Sequence, residues 1–312
     1  MLKVKSLRQY ISEASAQKKA IGHFNISNLE GFWAVVRAAQ AVSEKVFGEK
    51  NKVPVIVGTS EGERDFIGLT QAVALVRSVR DSGQPVFLNA DHTYSFERVK
   101  EAIDAGYDMA IFDGAKLSIE ENITQTKKCV EYARTKSSGF LSKIFWNDPR
   151  DILLEGELGY IGQSSKILDA IPEGAMVNAE ALTKPSDAVR FIKETGIDLL
   201  APAVGNFHGM LRGGKDPALN IPTVASIYQA VGLPLVLHGA SGNSAEDIAK
   251  SVENGVAIVH VSTELRVAYT TALKASLAAQ PDENTPYKLS IPALNAMQKL
   301  VEKKIRIIQR IV

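Results

Sequence analysis

The stretch VFLNADHTYS, Val86 to Ser95, decides how this chain is read. Val86, Phe87 and Leu88 form an apolar run with little alternation, as in a parallel strand covered on both faces. The run ends in Asp91-His92, a carboxylate beside an imidazole. Ser95 then has the character of a helix N-cap, opening a helical pattern over Ser95–Ala105. Strand, polar strand end, cap and helix make one β/α unit.

The same grammar recurs in both directions. AIGHFNI (20–26), VPVIVGTS (53–60), DMAIFDG (108–114), ILLEGELG (152–159), LLAPAVG (199–205), PLVLHGA (234–240) and VAIVHVS (256–262) are seven further short β-rich runs. Helical patterns lie between them, among them Leu29–Val46, Gly68–Arg80 and Ile119–Thr135. Ser244 is a second candidate N-cap, and Pro185 suits a first helical turn. Eight repeats in 312 residues point to an α/β fold, a single (β/α)8 TIM barrel over residues 1–312. Two doubly wound domains are the alternative, and no Pro-, Gly- or Ser-rich linker divides the chain to support them. One interval breaks the rhythm. Residues 160–184 lack clear periodicity, so a long lid loop is expected there. The C-terminal segment IPALNAMQKLVEKKIRIIQRIV is amphipathic and is expected to be a helical extension that packs on the barrel or serves as an interface.

Composition sets further bounds. A formal net charge of +1 gives no bulk attraction to nucleic acid or to an anionic membrane. There is no apolar run of membrane-spanning length and no signal-peptide pattern at the start of the sequence. The single cysteine, Cys129, rules out a disulfide framework, so a cytoplasmic location is expected.

In barrel enzymes the chemistry sits at the C-terminal ends of the strands. Of the five histidines, His92, His208, His238 and His260 fall at the ends of strands three, six, seven and eight, while His23 lies within strand one. One histidine in such a place is commonly structural. Four on one rim suggest more, because three neutral imidazoles with an open fourth position are the pattern of a catalytic zinc site. Strand five adds Glu155 and Glu157. The glycines of HGASG, with Val261-Ser262-Thr263 after strand eight, suit a phosphate cradle built from backbone N–H groups.

These motifs resemble the class II, metal-dependent fructose-bisphosphate and tagatose-bisphosphate aldolases, in the family's order and nearly end to end. The matching segments are GHFNISNLE, TSEGERDFIG, NADHTYSFERVKEAIDAGYDMAIFDGAKLSIEENI, LEGELGYIGQ, TGIDLLAPAVGNFHG, LVLHGASG and VHVSTELRVAY. The resemblance implies reversible aldol cleavage of a ketose 1,6-bisphosphate, of fructose or tagatose type, to glycerone phosphate and glyceraldehyde 3-phosphate. It implies one catalytic Zn2+ held by His92, His208 and His238, with Glu157 as an alternative ligand and Asp91 as the acid/base. Gly209, Gly239, Ser241, Ser262 and Thr263 would cradle one phosphate, with Lys215 nearby, and Asn28 and Ser60 would face the substrate. A monovalent cation near these glycines, a phosphorylated sugar as partner and a homodimer or homotetramer are implied as well.

The family pattern is broken at several places. Ser165 stands where the lid carries a proton-exchanging glutamate, a role Glu173 or Glu180 would have to take over. His260 replaces an asparagine that contacts the substrate. Ala240, Thr93 and Lys184 are milder departures. Two further readings therefore stay open: a lyase or isomerase of the same fold acting on another phosphorylated sugar, and a non-catalytic sugar-phosphate binder.

Overall fold

A computed structural model describes residues 4–48, 52–138, 151–162, 166–170, 181–213 and 216–311. Eight parallel strands close into a barrel: β1 (Ile21–Asn25), β2 (Val55–Thr59), β3 (Val86–Thr93), β4 (Met109–Phe112), β5 (Leu153–Leu158), β6 (Leu199–Pro202), β7 (Leu235–Leu237) and β8 (Val256–Val261). Each pairs with its sequence neighbour, and β1 pairs with β8 to close the ring. All eight runs picked out in the sequence are barrel strands.

The helices follow the same order: α1 (Leu7–Ala16), α2 (Leu29–Val42), α3 (Glu61–Ile67), α4 (Leu69–Arg80), α5 (Phe96–Ala105), α6 (Ile119–Ser138), α7 (Pro185–Thr195), α8 (Ile221–Val231), α9 (Ala245–Glu253), α10 (Thr263–Ala279) and α11 (Pro286–Ile308). Ser95 and Ser244 cap α5 and α9 by accepting from Arg98 N and Asp247 N, and Pro185 occupies the first turn of α7. The pattern over 29–46 ends earlier than expected, because α2 passes into a π-turn at Ser43–Phe47. The short helix α3 had no periodic signal of its own.

The barrel interior is graded. Its N-terminal floor is apolar: Ile21, Ile56, Phe87, Met109, Leu153, Leu199, Val236 and Ile258 pack together, and α1 closes this end with Leu7, Ile11 and Ala14. Two residues further along five of these eight strands, on the same face, stand His23, Asn89, Glu155, His238 and His260, all buried. The sequence shows no alternation here because the outward faces are apolar too, covered by helices. Burying five polar side chains in one layer is costly unless they are partnered, so the upper barrel is the place to look for chemistry.

At the C-terminal end of the chain, α11 packs against α2 and α10, burying Ala293, Leu294, Met297, Val301, Ile305 and Ile308. Near residues 160–184, Ile167–Leu168 pairs in parallel with Met210–Leu211. Residues 163–165 and 171–180 lie outside the described residues, and with them Ser165, Glu173 and most of the expected lid. No helix among the described residues is long and apolar enough to cross a membrane.

Candidate active site

The opening stretch sets a geometric problem. Neighbouring residues on a strand point to opposite faces, yet both Asp91 and His92 line one cavity at the barrel mouth. A bulge resolves it. β3 and β4 pair in register at Ala90↔Ala110 and next at Thr93↔Phe112, so β3 carries one extra residue. His92 absorbs the distortion with φ +40°, in the left-handed region that non-glycine residues seldom adopt. Arg64, 1% exposed, fastens the bulge from α3. Its guanidinium donates to the carbonyls of Thr59 (2.7 Å) and Asp91 (3.1 Å) and to Thr93 Oγ1 (3.1 Å).

Three imidazoles then converge. His92 Nε2 lies 3.2 Å from His208 Nε2 and 3.2 Å from His238 Nδ1. The far nitrogen of each ring is held by an acceptor: His92 Nδ1 by Asp113 Oδ2 (2.9 Å), His208 Nδ1 by the Gly162 carbonyl (2.9 Å), His238 Nε2 by Glu155 Oε1 (2.7 Å). A carbonyl or carboxylate oxygen can only accept, so the proton sits on the far nitrogen and a neutral ring turns its lone pair inward. Three lone pairs aimed at one another repel unless a cation stands between them. A tetrahedral zinc ion with nitrogens at 2.0–2.1 Å places its ligands about 3.4 Å apart, close to the spacing found. Acceptors holding the outer nitrogens are also the usual second layer of a histidine metal site. The donor set fits a divalent metal.

The surrounding charge agrees. Burial opposes charging His92, but Asp91, Asp113 and Glu157 outweigh it and push the imidazole up to about 10. That field would equally favour a metal cation. Burial, then His92 and His238, push His208 down to about 3, so it stays a neutral donor. Glu157 has the opposite problem: burial, then the nearby Asp113, hold its carboxyl well above the usual carboxylate range. Its Oε2 is buried without a hydrogen-bond partner, 3.6 Å from His92 Nδ1.

Asp91 is 4% exposed. Its Oδ2 accepts from Asn25 Nδ2 at 2.9 Å, while Oδ1 has no hydrogen bond, the nearest donor candidate being His260 Nδ1 at 3.3 Å. Burial alone would raise this carboxyl; His92, His260 and His23 together hold it well below the usual range.

The cavity is lined further by Ser60, Gly209, Gly239, Ser241, His260, Ser262 and Thr263. Gly239 is required as glycine: its φ is +63°, and a Cβ there would meet the Phe207 carbonyl at 2.2 Å. Ser241 Oγ accepts from the amides of Ser262 and Glu264 (both 3.3 Å), tying the loop after β7 to the start of α10. Asn28 does not line the cavity. It caps α2 by accepting from Gly31 N at 2.9 Å, and Asn25 is the asparagine at the site. Lys215 lies outside the described residues. Sequence reasoning missed Asn25, Arg64, Asp113, Tyr94 and Arg266. The DG after strand four was the one readable signal for Asp113, a carboxylate at a strand end.

A profile of the family Fructose-bisphosphate aldolase class-II matches residues 5–311. The chain belongs to the class II fructose-bisphosphate aldolase family. Its members are lyases, and the family implies a phosphorylated sugar as substrate. The fructose-bisphosphate aldolase of Geobacillus stearothermophilus is 33% identical over 305 residues, covering 96% of this chain and 95% of that protein. The probable fructose-bisphosphate aldolase of Bacillus subtilis is 34% identical, covering 96% of each. Among solved structures, the YdjI aldolase of Escherichia coli K12 superposes with a TM-score of 0.76 at 27% identity, over 97% of each chain.

Proposed function

We propose that this protein is a zinc-dependent ketose-bisphosphate aldolase that cleaves the C3–C4 bond of a fructose- or tagatose-type 1,6-bisphosphate and catalyses the reverse condensation. The observation that carries this reading is the convergence of three inward imidazole nitrogens beside a buried carboxylate with one free oxygen. His92, His208 and His238 would hold the metal, with Glu157 as an alternative ligand. A zinc ion there supplies Lewis-acid stabilisation of the negative charge that develops on the C1–C3 half.

The chain's own groups do the rest. Asp91 takes the C4 hydroxyl proton in cleavage and returns it in synthesis. Asn25 fixes Oδ2, which leaves Oδ1 to receive that proton. The barrel wall buries the carboxylate, and the neighbouring histidines, His92 first, keep it ionised against that burial. Gly209, Gly239, Ser241, Ser262 and Thr263 bind one phosphate through a close backbone approach and the N-terminus of α10. Residues 160–184 act as the lid, rooted at Ile161 and Gly162, whose carbonyls accept from the His208 amide and ring. The protein is cytoplasmic and works as a homo-oligomer, with a monovalent cation near the glycine cradle.

The test is direct. Zinc-loaded protein is offered fructose 1,6-bisphosphate and tagatose 1,6-bisphosphate, and release of glycerone phosphate is followed with a coupled reductase. Turnover of either supports the proposal. Failure on both, with metal bound, contradicts it.

A further inference from the structure

Among the described residues that line the cavity, His260 is the one imidazole outside the proposed metal triad. It is 4% exposed, and neither of its nitrogens makes a hydrogen bond. A buried polar group without a partner is costly, so an imidazole of this kind in a cavity wall points to a ligand. The ring cannot turn away. His23 stacks on it at 3.5 Å between centroids and 5° between planes, and His238 covers it on the other side at 3.9 Å and 33°. His23 is fixed in turn: Asn89 Nδ2 lies 3.1 Å from its Nε2, and Gly58 leaves room for the ring that a Cβ would meet at 2.0 Å. With its faces covered, His260 offers only its edge, and the edge carries the nitrogens.

His260 Nδ1 stands 3.3 Å from Asp91 Oδ1 without the alignment of a hydrogen bond, and that oxygen has no hydrogen bond of its own. A carboxylate oxygen can only accept, so the proton of the neutral ring belongs on Nδ1, beside it. A buried donor and a buried acceptor thus lie next to each other in the cavity wall, both unused. One chemical group answers both. A hydroxyl donates one hydrogen bond and accepts others, so a single hydroxyl can give its proton to Asp91 Oδ1 while it accepts from His260 Nδ1.

We propose that His260 donates a hydrogen bond from Nδ1 to the C4 oxygen of the ketose bisphosphate and so selects between C4 epimers. The contact follows from the role of Asp91. A hydroxyl close enough to pass its proton to Oδ1 is also within reach of Nδ1. As that proton leaves, negative charge grows on the C4 oxygen, and a buried N–H already aimed at it stabilises the charge more than it stabilises the resting hydroxyl. Selection follows from geometry. With the ketone half fixed elsewhere in the cavity, inverting C4 turns the hydroxyl in another direction. Only one epimer then meets Asp91 and His260 together, and the other leaves a buried polar atom without a partner.

This inference rests on the aldolase reading, and the experiment separates the two. Zinc-loaded wild type and His260→Phe are assayed for cleavage of fructose 1,6-bisphosphate and tagatose 1,6-bisphosphate. Phenylalanine keeps a stacked ring and removes both nitrogens. Wild type should favour one epimer. In His260→Phe, kcat for that epimer should fall about 10^2- to 10^3-fold, with KM changed much less, because the contact strengthens as charge develops. The ratio of kcat/KM between the epimers should fall with it. Zinc content and unfolding midpoint report that the variant is folded. An unchanged kcat or an unchanged epimer ratio in the folded variant overturns the role of His260 and leaves the aldolase reading standing. A crystal structure of zinc-loaded Asp91→Asn with the preferred substrate bound reads the contact with His260 intact: Nδ1 within hydrogen-bond distance of the C4 oxygen is expected, and Nδ1 out of its reach overturns the proposal. Cleavage of neither epimer by the wild type overturns both readings.

Discussion

Five histidines fill the upper barrel, and they fall into two groups that share a residue type and a buried setting but differ in how their nitrogens are held. In His92, His208 and His238 every outer nitrogen meets an oxygen acceptor, so the inner lone pairs converge. His23 and His260 instead stack face to face, 3.5 Å between centroids and 5° between planes. Only His23 Nε2 has a hydrogen bond, to Asn89 Nδ2 at 3.1 Å; His23 Nδ1 and both nitrogens of His260 have none, although His260 Nδ1 stands 3.3 Å from Asp91 Oδ1. Burial pushes His23 down to about 4 and, aided by His23 and His238, holds His260 well below the usual imidazole range, so both stay uncharged. Parallel rings send their lone pairs in parallel, not toward one point. What suits a histidine to hold a metal under the proposed reading is the acceptor behind it, not its burial or its place in the sequence.

That contrast can be broken at either group. The largest effect is expected from the metal itself: chelation with EDTA should abolish turnover, and stoichiometric zinc should restore it, as followed by the coupled cleavage assay. Asp91→Asn should lower kcat by about 10^2- to 10^4-fold while metal content by elemental analysis stays at the wild-type level. Glu155→Gln tests the acceptor rule: zinc affinity or turnover should drop roughly 10- to 100-fold, because the outer hydrogen bond that orients His238 is weakened. The smallest effect belongs to the stack. At Gly58 a Cβ would meet the His23 ring at 2.0 Å, so Gly58→Ala should cost about 1–3 kcal/mol of stability through overpacking. Denaturant unfolding measures it, and zinc affinity should be little changed.

The fold was legible because eight apolar runs and the helices between them repeat a local rule, and each rule acts over a few residues. Asp91, His92, His208 and His238 were legible as strand-end polar groups, which the family resemblance sharpened. What lay hidden was long-range. The bulge at Asp91-His92 exists because Arg64, buried and hydrogen-bonded to two carbonyls and Thr93, holds the ends of β2 and β3 together. No local pattern marks an arginine for that task. Asn25 and Asn28 are both polar residues after strand one, and only the turn into α2 decides that Asn28 is spent as a cap. His260 reads as a rim residue in the sequence, but β8 runs through to Val261 and leaves it packed between His23 and His238 inside the barrel.

The most direct test of the acceptor rule is metal stoichiometry, measured in parallel on wild type, His208→Ala and His260→Asn after purification and zinc reconstitution. The expected result is about one zinc per chain in the wild type and in His260→Asn, and loss of tight zinc in His208→Ala. A second zinc in the wild type that disappears in His260→Asn, or full zinc retention in His208→Ala, would contradict it.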